Sequence, residues 1–299
     1  MALARFLAPL WLSAAALPAA AQSTPACPAT ELASVSQGDV RTHGEAFYSL
    51  LRNGGVAPEA TAFVPVGTLE SQPVAELALG AGERIESVEA LRSWQVGPSV
   101  WSAYRHVRVL GDGTRQPERA TLVWNTENGT REWRLLHAHV SRAVPLGSTL
   151  AVAEERASGP GVSAGVAARM VEFWKSWTDR DFAAVAGNYV RRDDTLVFLP
   201  WVPAPFESWE AFEAAAEGIL ESVERADFAD KGVHTETEAD GAMLTTGLFS
   251  ADVVGADGAS TVGDGRFTLV WIACEDGWRV SHEHLSSFAE ADSAGDQGR

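Results

Sequence analysis

The chain has 299 residues, with 23 basic against 40 acidic side chains and a formal charge of −17, long enough for two domains that each bury a core. So acidic a surface repels phosphate backbones and anionic lipid, which excludes nucleic acid as a partner and favours solubility. No stretch of about 18 apolar residues runs unbroken after the first few, so no membrane span is expected.

Arg5, the apolar run over 6–17 and Ala19-Ala20-Ala21 before Gln22 read as an export leader, residues 1–21. The expected location is therefore periplasmic or secreted. Two cysteines follow the leader, Cys27 and Cys274. In an oxidising compartment they are a candidate disulfide, tying the mature N-terminus to the last hairpin.

A first domain is expected over residues 28–147. It contains Phe63-Val64-Pro65-Val66, a helix-like block Glu86-Ser87-Val88-Glu89-Ala90-Leu91, the turn Asp112-Gly113, a strand at 121–124 and the segment Trp133-Arg134-Leu135-Leu136-His137-Ala138-His139-Val140-Ser141. Asn128-Gly129-Thr130 fits a glycosylation sequon but is read as a turn. Residues 151–165 lack apolar periodicity and hold Ser158-Gly159-Pro160-Gly161, which marks a linker.

The second domain is expected over 166–288. Met170, Phe173, Trp174 and Trp177 recur at i, i+3, i+4 and i+7, one aromatic face of a helix at 166–178. A short helix at 181–190 leads into a strand at 195–199 that Pro200 ends, and Ser208 is placed to cap a third helix. Strands at 232–239, 243–254, 266–273 and 278–286 are then separated by Asp240-Gly241, Asp257-Gly258 and Asp276-Gly277, each a hairpin signal. Residues 289–299 form a small, acidic tail expected to fray.

Blocks of the second domain restate the first in order. Trp278-Arg279-Val280-Ser281-His282-Glu283-His284-Leu285-Ser286 repeats the 133–141 segment, and each follows a Thr-Leu-Val-Trp strand, at 121–124 and at 268–271. Phe198-Leu199-Pro200-Trp201 matches 63–66, Glu207-Ser208-Trp209-Glu210-Ala211-Phe212 matches 86–91, and Asp257-Gly258 matches Asp112-Gly113. The chain reads as a duplication whose first copy is shortened before Phe63 and between Leu91 and Val100. Both Thr-Leu-Val-Trp strands are apolar on both faces, so something covers their second side.

Helix, helix, strand, helix and a four-stranded meander ending in Trp-Arg-x-x-His-x-His-x-Ser resemble the nuclear transport factor 2-like superfamily, and within it the SnoaL-like branch. The resemblance covers nearly all of 162–288 and is partial over 39–145. It implies an α+β fold, here tandem cone-shaped domains in which a curved antiparallel sheet wraps N-terminal helices and leaves a pocket. Family members commonly dimerise sheet to sheet, so the resemblance implies that the two copies form an intrachain pseudo-dimer. Isomerase-like members place a Tyr on the first helix and a general-base Asp before the Pro that closes the first strand. The matching positions are Phe173 and Leu199, which transfer no proton, and the first copy has Val64 before Pro65.

Strand alternation puts Trp278, Val280, His282, His284 and Ser286 on one face, and Arg279, Ser281, Glu283 and Leu285 on the other. If the first set packs against the helices, His282 and His284 extend toward the pocket. His282 is then a candidate general acid or base or a ligand anchor, with Tyr189 or Asp252 assisting. The alternative is a structural histidine pair. Trp174, Trp177, Phe198 and Trp201 are candidate pocket lining. His-x-His also suits a metal, but His234, Asp252 and Glu283 give no third ligand of diagnostic spacing or orientation, so no metal and no cofactor are expected. The leading expectation is an exported protein that binds a small, mainly apolar organic molecule. An enzyme of lyase, isomerase or cyclase type using His282 is the alternative, and a structural or protein-interaction module the third.

Overall fold

A computed structural model describes residues 27, 33–34, 79–96, 99–126, 133–144, 164–239 and 241–287. The leader, the Phe63 block, the sequon, most of the linker and the acidic tail lie outside these residues.

The first half supplies an antiparallel sheet: β1 (Ala33–Ser34), β2 (Arg84–Val96), β3 (Ser99–Val109), β4 (Arg115–Thr126) and β5 (Trp133–Ser141), hydrogen-bonded in that order. The block at 86–91, matched in sequence to the start of a helix, lies in β2. Its local pattern suits either structure, and pairing with β3 along its whole length decides it, because sheet contacts override weak local propensity.

The second half begins with helix α1 (Ala164–Asp179). Met170, Phe173, Trp174 and Trp177 are all buried, the single apolar face that their spacing requires. Arg180 leaves the helix with φ 56°, and Asp181 immediately caps α2 (Phe182–Gly187), accepting from the Ala184 amide at 3.1 Å. Strand β6 (Leu196–Phe198) follows, and Ser208 caps α3 (Trp209–Glu221) in the same manner. Four long strands complete the chain: β7 (Val223–Ala239), β8 (Ala242–Gly255), β9 (Ser260–Cys274) and β10 (Gly277–Ser287). The sheet order is β6-β10-β9-β8-β7, with β6 parallel to β10. Strand β7 starts nine residues earlier than its alternation suggests, because three register shifts along it break the period.

The two Asp-Gly turns that the repeat pairs are built alike. Asp112 accepts from the Thr114 amide at 2.8 Å and Asp257 from the Ala259 amide at 3.0 Å. Gly113 and Gly258 have φ of 87° and 79°, a region that costs a side chain about 1 kcal/mol or more.

The second sheet buries both faces. On one side Phe249, Phe267, Leu269, Trp271, Val280 and Leu285 pack against the helices, enclosing the cone. Here Phe249 lies over Gly265 and Phe267 over Gly247, so closely that an added Cβ would meet each ring within 2.5 Å. On the other side Leu196, Phe198, Leu244, Val270 and Ile272 meet Trp94, Trp101, Ala103 and Val123 of the first sheet. The two halves are thus packed sheet to sheet. A disulfide joins Cys27 to Cys274 at the edge of this contact.

Candidate functional site

The histidine pairs are the first candidates, and a β-bulge decides where they point. Along β10, Val280 faces Trp271 and His282 faces Val270, so Ser281 is an extra residue. The bulge reverses the alternation. Val280 and Leu285 face the helices together with Glu283, and His282, His284 and Ser286 face the first sheet. The sequence expectation that His282 and His284 extend toward the cone is corrected on this ground. Strand β5 is bulged at the matching place: Val123 pairs with His137 and Trp124 with Leu135, leaving Leu136 over.

Between the sheets the corresponding residues cross over. The Thr121 hydroxyl lies 2.8 Å from His282 Nε2 and 2.9 Å from His284 Nδ1. The Thr268 hydroxyl lies 3.0 Å from His137 Nε2 and 2.9 Å from His139 Nδ1. Ser141 meets His284 Nε2 and Ser286 meets His139 Nε2, both at 2.7 Å. The rings of His139 and His284 stack with centroids 3.6 Å apart. Arg119 donates to the carbonyls of Val202 and Leu285 and sits over the Phe198 ring. His282 Nδ1 donates to the Leu196 carbonyl at 3.0 Å. Burial holds His137 and His282 down to about 4, and His139 and His284 well below the usual histidine range. These rings are neutral, and both nitrogens of His139, His282 and His284 are hydrogen-bonded, which is the structural alternative raised for them.

Inside the cone the polar groups are different. Glu283 is completely buried, and Tyr189 on the stretch after α2 donates its hydroxyl to Glu283 Oε2. Burial pushes the Glu283 carboxyl up to about 8 against the opposing effect of the tyrosine hydrogen bond. Burial and the neighbouring carboxyl raise Tyr189 well above the ordinary phenol range. The second carboxyl oxygen, Oε1, has no hydrogen-bond partner, and the same is true of the indole N–H of Trp174; the Trp177 side chain interacts with the Tyr189 hydroxyl. All belong to one apolar core, in which Tyr189 touches the rings of Phe173, Trp209 and Phe212. A buried polar atom left unpaired costs about 1–3 kcal/mol.

Of the residues singled out in the sequence, Tyr189, Trp174 and Trp177 come together in the cone, and Trp201 packs half-buried against its core. Phe198 does not: it lies between the sheets, edge-on to His282 and His284. Asp252 is remote from both histidines, in an exposed bidentate ion pair with Arg225 at 2.8 Å. Tyr189 pairs with Glu283 rather than with His282. His234 lies in β7, its side chain outside the described residues. Glu283 was missed because strict alternation faces it away. The signal was present: Val280 and Leu285 are an odd number of residues apart, so both can face the core only if a residue is inserted between them.

A model of the SnoaL-like domain matches residues 166–290. Among solved structures, the chain is similar to a nuclear transport factor 2-like superfamily protein from Salmonella enterica (15% identity over 44% of this chain and 93% of that one, TM-score 0.39). A ketosteroid isomerase-like protein from Erwinia carotovora is similar at 14% identity (42% of this chain and 95% of that one, TM-score 0.36). An uncharacterized protein with a cystatin-like fold from Caulobacter vibrioides is similar at 17% identity (44% and 93%, TM-score 0.36). Likenesses this weak assign no chemistry. No curated protein matches the chain. The part of the chain that holds Tyr189 and Glu283, residues 166–290, is thus the part that matches the SnoaL-like domain.

Proposed function

We propose that the cone of the second half takes up a small, mainly apolar organic molecule that offers a hydrogen-bond acceptor. The observation that carries this reading is the buried Glu283, with Oε1 unpartnered, beside a core that also holds the unpartnered indole N–H of Trp174. With its carboxyl pushed up to about 8, Glu283 keeps its proton at neutral pH. Since Oε2 accepts from Tyr189, the proton sits on Oε1. Two donors, the Glu283 acid O–H and the Trp174 indole N–H, then lack acceptors in an apolar surround, and a ligand oxygen would satisfy what the protein leaves open.

The first half serves a different purpose on this reading. Its repeated segment has Ala138 where the second has Glu283, so it lacks the acid. It covers the outer face of the second sheet as the built-in partner of a pseudo-dimer, the chain being a duplication. Export is in keeping with the Cys27–Cys274 disulfide, since such bonds persist in oxidising compartments.

A second reading has one specific support. A carboxyl held near 8 beside a tyrosine is suited to general acid–base chemistry near neutral pH, so the ligand would be a substrate of lyase, isomerase or cyclase type with Glu283 moving the proton. His282 is unsuited to that role, with both ring nitrogens occupied outside the cone.

Native mass spectrometry of the mature protein from its own host tests the binding reading. The expected result is a reproducible organic adduct that Glu283→Leu, which has no proton to donate, loses or weakens at least tenfold, while Glu283→Gln, whose amide N–H takes the place of the acid O–H, keeps it. A protein that carries nothing and takes nothing from a host lipid and metabolite extract would overturn it.

A further inference from the structure

We propose that the sheet-to-sheet contact is an acid-released latch: proton uptake by the four histidines between the sheets parts the two halves, which stay tethered and close again on neutralisation.

The argument begins with proton positions, assigned from the hydrogen bonds. His282 Nδ1 faces the Leu196 carbonyl, which can only accept, so Nδ1 carries the proton and Nε2 accepts from the Thr121 hydroxyl. Thr121 has one proton to give. Its oxygen therefore accepts from His284 Nδ1–H, and His284 Nε2 accepts in turn from Ser141. The other arm, Thr268 with His137 and His139 and Ser286 with His139, repeats these contacts with the halves exchanged. In the arm anchored at Leu196, Thr121 and Ser141 have each spent their proton. A further proton on His282 Nε2 or His284 Nε2 would face a donor and break a bond between the halves.

Charge acts in the same direction. The contact is rich in cations: Arg119 from β4 reaches across it, Arg266 of β9 raises the cost of charging His137 and His139, and Arg92 and Arg105 lie at its edge. The nearby acids are committed elsewhere. Glu89 and Glu207 pair with Arg105, Asp264 with Lys231, and Glu118 with His106 and Arg108. Among the described residues no carboxylate bonds any of the four rings. Two imidazolium rings at His139 and His284 would lie face to face at 3.6 Å.

The sign follows from linkage. These rings hold protons more weakly closed than open, where 6.5 is the ordinary value. The closed state is thus fully stable above about 6.5 and loses stability as pH falls toward about 4. When it opens, the Cys27–Cys274 disulfide and the chain itself keep the halves together, so closing is intramolecular and favoured by high effective concentration. Nothing in this depends on what the cone binds.

The test uses the full mature chain with its disulfide intact, taken from pH 7.5 to pH 4 and back. Small-angle scattering and tryptophan emission should report opening, since Trp94 and Trp101 are buried in the contact, while far-ultraviolet circular dichroism holds. Replacing the stacked pair, His139→Asn with His284→Asn, should move the opening to lower pH by at least half a unit. If that variant fails to fold, imidazole nitrogen spectra of the natural chain still decide, by showing all four rings neutral at pH 7 and gaining protons as scattering changes. Loss of sheet structure at the same pH as opening, a chain still closed at pH 4, or a charged ring at pH 7 would each overturn the latch.

Discussion

The two polar clusters of this protein are a residue apart along one strand and opposite in character. His282 and His284 face the first sheet, where each ring nitrogen has a partner. Glu283, between them, faces the cone with one oxygen unpartnered. Both sites are buried and both contain groups whose titration is shifted by burial. Burial and pKa shift therefore do not tell the two clusters apart; they differ in that both ring nitrogens of His282 and His284 are paired and one Glu283 oxygen is not. A satisfied network fixes one arrangement, whereas a buried polar atom without a partner raises the energy of the folded state, which is what the proposed ligand would relieve.

This contrast can be broken most forcefully at Thr121. Thr121→Val removes the hydroxyl that serves two imidazoles and should cost about 2–5 kcal/mol, the sum of two stranded nitrogens, measured by urea denaturation at pH 7. Thr121→Ser keeps the hydroxyl and should recover most of it. If Thr121→Val is neutral, the network is not holding the halves. At Glu283 the expected effect is smaller and depends on pH. Its folded value of about 8 lies above the ordinary 4.5, so its contribution is fully present below about 4.5 and is lost as pH rises through 8. Glu283→Gln should match the natural chain at about pH 4.5 and become steadily the more stable of the two as pH rises to 8, in parallel denaturation series. A natural chain that does not lose stability over this range relative to the variant would place the carboxyl in a solvated setting. The smallest effect is expected at Asp252, whose exposed pair with Arg225 belongs to neither cluster. Asp252→Asn should leave thermal midpoint and adduct alike unchanged.

Much of the fold was legible because its signals are local. The spacing of Met170, Phe173, Trp174 and Trp177 gave α1, Ser208 gave the start of α3, and the Asp-Gly turns gave the strand boundaries. Residues 86–91 misled because a pattern compatible with both helix and strand carries no information about the neighbour that pairs with it.

For the candidate site, the sequence by itself singled out the repeated His-x-His segments, the Thr-Leu-Val-Trp strands beside them and Tyr189, but set Glu283 aside as facing the wrong way. Tertiary structure alone decided which side each one faces. Alternation along a strand is a parity rule, and one inserted residue, Ser281, inverts it for everything that follows. That insertion is stable because it puts Val280 and Leu285 in one core while matching His282 and His284 to Thr121 and Ser141 from more than 140 residues away, a balance of burial and hydrogen bonding that exists only once both sheets are in place.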